Sequence, residues 1–158
     1  MTDRKSNGSD PFTVALRLLT GRDRSCHELR QRLKERGFST EAIEETVCRC
    51  LDYGYLDDQR FATIKARALI SSGRAVGGRA VLEMKKYGLE SDLIDQALAA
   101  AAAEVDLATL LNELFLRRYP DYNNQRDDLR MQQRIIGYFQ RRGFPLSLIL
   151  DTIKQSRD

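Results

Sequence analysis

The 158-residue sequence predicts an all-α protein, an elongated tandem array of three three-helix repeats. Three observations carry that prediction. A short pattern recurs: LKERGF (Leu33 to Phe38), MKKYGL (Met84 to Leu89) and FQRRGF (Phe139 to Phe144) each run apolar, then mixed residues of basic bias, then Gly, then apolar. The apolar positions around these glycines keep one register. Leu29, Ala80 and Ile135 stand eight residues before the Gly, Ile43, Ile94 and Ile149 six after, and Val47, Leu98 and Ile153 ten after. Two amphipathic helices joined by a tight turn require this spacing, with Gly taking a left-handed conformation that a β-carbon would penalise. Finally, a further stretch of helical periodicity precedes each pair: Pro11 to Leu19, Asp58 to Ile70 and Leu107 to Arg118. Self-similarity at a fixed period marks a repeat architecture.

Taken in order, residues 1–13 are assigned to a flexible N-terminal tail. Its end already carries a helix start, because Asp10 before Pro11 is an N-cap followed by a proline at the first helical position. Residues 14–56 form the first repeat, in which Ser25-x-x-Glu28 reads as a capping box. The second repeat spans 57–106 and the third 107–158. The third contains a longer connection, RRYPDYNNQRDD, rich in turn formers and expected to be a flexible loop.

Composition excludes several classes. No apolar run approaches membrane-spanning length, and MTDRKSNGSDPF is polar where a signal peptide needs an apolar segment. Three cysteines fit thiols kept reduced in a cytoplasm better than a disulfide framework. The expected location is therefore cytoplasmic.

Four features could carry chemistry. GYLDDQRFA places Asp57 and Asp58 side by side at the end of the first repeat. Asp57 is suited to cap the next helix, Asp58 to face the positive end of that helix's dipole, and Leu56 and Phe61 to form a hydrophobic staple. The four read as an inter-repeat joint, whereas a metal-assisted dyad would want partner ligands that nothing nearby supplies. By the same reasoning Tyr53 and Tyr55 read as inter-repeat packing. GRAVGGRA, Gly73 to Ala80, has the glycine spacing of a phosphate-binding P-loop, but Arg79 and Ala80 replace its lysine and hydroxyl, and a helix precedes it where a strand is required. Cys26, His27, Cys48 and Cys50 supply zinc-ligand types, yet Cys48 and Cys50 point to opposite sides of one helix. His27, the only histidine, has no nucleophile and acid beside it in sequence. Catalytic residues, metal and cofactor are all expected to be absent.

The net charge of +3 conceals a sorting of sign by helix position. Second helices are basic: residues 24–36 carry five basic and two acidic side chains, 74–87 four and one, 130–142 four and none. Third helices run the other way, with one and four over 39–52, none and five over 90–106, and two of each over 145–158. Solvated faces with intra-repeat salt bridges would account for this. Equally, stacked equivalent helices would build a basic stripe for a polyanion or an acidic groove, through Arg30, Lys34, Arg79, Lys85, Lys86, Arg134, Arg141 and Arg142. Few aromatics interleave with these residues in sequence, which points to backbone or protein contacts and away from a base-stacking channel.

L-x-x-R-G-F with its following Ile, then Y-G-Y-L-D-D-Q-R-F-A, then a second copy ending in Y-G-L, resembles the RecX family of bacterial recombination regulators, closely over Ala15 to Ala100 and more loosely beyond. Members often carry Gly-Pro before the second helix of the middle repeat, where this chain has Val76 and Gly77; Arg79 matches. The resemblance implies a monomeric, non-enzymatic regulator of DNA repair and the SOS response. It would bind the RecA recombinase and RecA–DNA filaments, lie in the filament groove, and inhibit ATPase, strand exchange and co-protease activity. It also implies contact with single-stranded DNA and, secondarily, double-stranded DNA without sequence preference. A helix-turn-helix DNA-binding regulator is the alternative, since short second helices stand near tight turns.

Overall fold

The computed structural model describes residues 9–122 and 128–156. Those residues form α1 (Pro11–Gly21), α2 (Cys26–Glu35), α3 (Thr40–Asp52), α4 (Asp58–Ser71), α5 (Gly77–Lys85), α6 (Ser91–Ala103), α7 (Leu107–Arg118), α8 (Leu129–Arg141) and α9 (Leu146–Gln155), with no strand among them. Capping chemistry sets where each triplet starts. Asp10, Asp57 and Asp106 precede α1, α4 and α7, and each carboxylate accepts the backbone N–H three residues on, at 3.2, 3.0 and 3.0 Å. Most of the expected tail, residues 1–8, lies outside the described residues. Its remainder is ordered further than expected, since Pro11 to Thr13 form the first turn of α1.

Every apolar position of the common register is buried: Leu29, Ala80, Ile135, Ile43, Ile94, Ile149, Val47, Leu98 and Ile153. The turn glycines Gly37, Gly88 and Gly143 have φ of 84°, 65° and 94°, the left-handed region. Each triplet is thus closed by the turn chemistry its repeat pattern encodes.

The triplets are not three equal beads. α1 to α3 enclose a core of their own around Leu29, Leu33, Val47 and Cys50. α4 to α9 share a single larger core in which Ile70, Val76 and Met84 join Leu111, Phe115, Phe139 and Phe144. Part of the turn-rich connection after α7 belongs to it. Tyr122 is buried and meets Phe115 edge to face at 5.3 Å, so the chain is pinned there despite its loop-like composition, while residues 123–127 lie outside the described residues.

One rule joins successive triplets. The residue twelve before the Gly, which caps the second helix, bonds to the carbonyl preceding the Gly of the next triplet. Ser25 donates its hydroxyl to the Tyr87 carbonyl at 2.6 Å, and Val76 donates its N–H to the Arg142 carbonyl at 2.8 Å. The first contact sits at the C-terminal end of α5 and the second at its N-terminal end. Nine residues of helix, about 13 Å at 1.5 Å per residue, separate them. The middle triplet therefore holds its neighbours apart at opposite ends, which makes the array elongated.

Candidate functional site

The joint between the first two triplets is polar at its centre. The Asp58 carboxylate accepts the Cys26 N–H of α2 at 2.8 Å, so it serves an orphan donor at the start of another helix as well as standing in the first turn of its own. Burial, with the Asp58 carboxylate adding to it, pushes the Cys26 thiol up to about 11. At neutral pH the thiol stays protonated and a poor nucleophile. His27 packs where Gly88 lacks a side chain; a β-carbon there would collide with the imidazole.

Leu56 and Phe61 are both buried, but they do not staple one another. Leu56 belongs to the core of the first triplet and Phe61 to the shared core, so the Asp57-Asp58 turn runs between two separately packed bodies. Asp57→Ala is expected to lower stability by about 1 kcal/mol through the lost cap, measured by chemical denaturation. Tyr53 and Tyr55 also differ from expectation. They are 63% and 48% exposed and form an outward-facing cluster with Phe12, over which the Arg49 guanidinium lies at 3.9 Å. Gly54 turns the chain outward here, and only Leu56 returns to the core.

The basic side chains fall into three groups. Arg30 is forked onto Glu44 of α3 at 2.8 and 3.1 Å, while Arg79 and Lys86 both hold Glu83, at 2.6 and 2.8 Å. Opposite charges on second and third helices thus meet within a triplet at Arg30, and such exposed pairs add little stability. Glu83 titrates below the usual carboxylate range, chiefly through its Lys86 hydrogen bond. Lys34 and Lys85 are exposed and form no ion pair among the described residues.

Arg134, Arg141 and Arg142 form the third group, and they meet around one ring. The Arg142 guanidinium lies 4.4 Å from the Tyr138 centroid and donates to the Gly73 carbonyl at 3.2 Å, so it also ties the third triplet to the second. On the other flank of Tyr138, Arg134 and Arg141 line a hollow of about 400 Å³. Arg118 completes the set, with its guanidinium 5.1 Å from the same ring. Aromatic side chains therefore do interleave with the basic ones in the third triplet, contrary to the expectation from chain order. Arg118 arrives from another helix, a placement that chain order hides. A local signal does exist: Tyr138 in the last turn of α8 and Arg142, which caps that helix, stand four apart.

Cys48 is exposed and Cys50 buried, on opposite faces of α3. Among the described residues no cluster of His, Cys, Asp and Glu could hold a metal ion, and no helix is long and apolar enough to cross a membrane. GRAVGGRA forms the α4–α5 turn and the start of α5, preceded by a helix, and Gly77 has φ 51°, which a proline could not adopt.

Comparison with known proteins places this architecture. The family model described as RecX, first three-helix domain, matches residues 12–50. The regulatory protein RecX of Syntrophotalea carbinolica is 36% identical over 149 residues, covering 94% of this chain and 97% of the relative. That of Trichlorobacter lovleyi is 38% identical, covering 89% and 92%. Two solved structures share the fold. A crystal structure of regulatory protein RecX gives a TM-score of 0.74 at 24% identity, over 92% of this chain and 71% of that one. RecX from Lactobacillus salivarius gives 0.72 at 21%, over 94% of both. With identity above 30% to these relatives over about nine tenths of its length, this chain belongs to the RecX family of regulatory proteins.

Proposed function

We propose that this protein is a non-enzymatic, monomeric cytoplasmic regulator that binds RecA and RecA–DNA filaments, lies in the filament groove, and inhibits ATPase, strand exchange and co-protease activity. The observation that carries this reading is the match to RecX regulatory proteins along nearly the whole chain. The array supplies a physical rationale. Linked triplets held apart at the ends of α5 can touch successive subunits of a filament, and each added contact raises the effective concentration of the next. Individually weak patches then give filament-selective binding, with free RecA bound less well.

Exposed cations are the expected contacts. Among the eight basic residues, Arg142 is the least suited to a test, because it also holds the third triplet to Gly73. Lys85→Ala, Lys86→Ala and Arg141→Ala combined are expected to weaken inhibition of RecA ATPase, and its dependence on salt, with helix content unchanged. A pull-down against RecA filaments and free RecA, paired with the ATPase assay, tests the reading. Equal capture of both forms, or undiminished inhibition by the triple variant, would count against it.

A further inference from the structure

We propose that the two hollows flanking Tyr138 hold neighbouring phosphates of a single-stranded nucleic acid, independently of base sequence. The inference assigns DNA to one place on the array, and it rests on the preceding reading for which nucleic acid is bound. The first hollow, about 280 Å³, is lined by Arg117, Arg118 and Arg142 beside Tyr138 and Leu114. The second, about 400 Å³, is lined by Arg118, Arg134 and Arg141 beside Tyr138. Arg118 and Tyr138 form the shared wall. Each hollow therefore presents three guanidinium groups, and neither is lined by a carboxylate.

Other cations are unpaired too among the described residues, Lys34 and Lys85 among them, but here the uncompensated guanidinium groups stand together around one ring. Arg22, Arg30, Arg32, Arg67 and Arg79 each hold a carboxylate. Arg117, Arg118, Arg134, Arg141 and Arg142 hold none among the described residues. Five like charges kept together repel one another, and the Tyr138 ring offsets only part of that cost through its quadrupole. A polyanion would remove the repulsion and satisfy the unused N–H donors, of which Arg142 spends one on the Gly73 carbonyl.

Geometry selects the ligand. Arg118 and Arg142 already lie over Tyr138, and Tyr119 and Phe139 pack against it nearly at right angles, so the ring's contacts are with guanidinium groups and neighbouring rings. Recognition then falls on phosphate oxygens, which carry no sequence information. Adjoining hollows with a common wall suit anions tethered in series. A flexible strand can bend into two concave sites, whereas duplex phosphates are fixed on a convex cylinder. Gly137 contributes too: a β-carbon there would stand 3.1 Å from the Arg141 guanidinium, so its absence lets Arg141 fold back over α8 toward the second hollow.

The test is fluorescence anisotropy of a short labelled oligothymidylate with the full chain and no RecA present. Two variants are compared, Arg117→Gln/Arg118→Gln and Arg118→Gln/Arg134→Gln, with helix content checked by circular dichroism. Wild-type protein should bind, and each variant should bind at least about tenfold more weakly. The slope of log affinity against log salt should shrink by about 1.4, at roughly 0.7 per phosphate released. Unchanged binding by both variants would overturn the proposal, as would an absence of binding by the wild type, or competition by an acidic peptide as effective as by unlabelled oligothymidylate. The RecA ATPase assay separates the two readings: oligonucleotide binding that depends on these arginines, with no effect on RecA, supports this site and sinks the proposed function alone.

Discussion

Phe139→Ala is expected to destabilise the second and third triplets together, by about 3–5 kcal/mol, and to leave the first triplet untouched. Phe139 is fully buried, and it meets Phe144, Tyr119 and Tyr138 at ring-centroid distances of 5.7, 6.5 and 5.1 Å, mostly edge to face. Removing the ring opens a cavity that helices on two sides have to bridge. Because α4 to α9 enclose one core, the loss is shared across both triplets, whereas the separate core of α1 to α3 contains none of the affected residues. Leu29→Ala, also fully buried, is the mirror experiment: about 2–5 kcal/mol removed from the first triplet alone. Amide hydrogen exchange read segment by segment distinguishes the two cases, since cooperative units open with their own free energies. In Phe139→Ala, residues 58–122 and 128–156 should lose protection together while residues 11–52 keep theirs. Uniform loss over α1 to α9 would show that the first triplet is not an independent unit.

Much of this was legible in the sequence because it depends on local chemistry. The register of Leu29, Ala80 and Ile135 identifies inward-facing positions in any helix that keeps its period, and Asp10, Ser25 and Asp57 cap helices through neighbours three residues away. The joint is different. Ser25 and Val76 occupy the same place in the repeat and bond to the equivalent carbonyl of the next triplet, but one uses a hydroxyl and the other a backbone N–H. Sequence similarity does not register a role that a side chain fills in one repeat and the backbone in the next. The sorted charges are only partly informative for a related reason. Helix position fixed the sign of each face, but whether Arg30 meets Glu44 or solvent depends on how α2 crosses α3. The gathering of Arg118 with Arg134 and Arg141 likewise needs α7 and α8 brought together by the Phe115, Tyr119 and Phe139 packing. Tyr53 and Tyr55 show the converse: apolar bulk near a turn suggests packing, but the turn carries it outward.

Gly143→Ala is expected to cost about 2–3 kcal/mol, far more than the chemically identical Gly37→Ala, although the two glycines close equivalent turns. Both have positive φ, so each alanine carries the left-handed penalty of about 1–2 kcal/mol. Their surroundings differ. A β-carbon on Gly37 meets nothing within 4 Å, whereas one on Gly143 collides with the Val76 carbonyl, which is backbone and cannot rotate away. The α8–α9 turn must then lift from the α4–α5 turn, and the Val76 N–H, buried with its residue, loses the Arg142 carbonyl at a further cost of about 1 kcal/mol. Gly88→Ala should behave like Gly143→Ala, since its β-carbon would meet His27 at Cβ and Cγ, which rotation of the imidazole cannot clear; α2 must shift, but no buried backbone N–H loses its partner, so the effect should be smaller. The predicted order from denaturation midpoints is therefore Gly143, Gly88, Gly37. Lifting the turn also moves Arg142 away from Gly73, so Gly143→Ala should weaken oligothymidylate binding while Gly37→Ala leaves it unchanged. Equal destabilisation by all three substitutions would mean that the turns pay only for their own backbone and that the close approach between triplets contributes nothing.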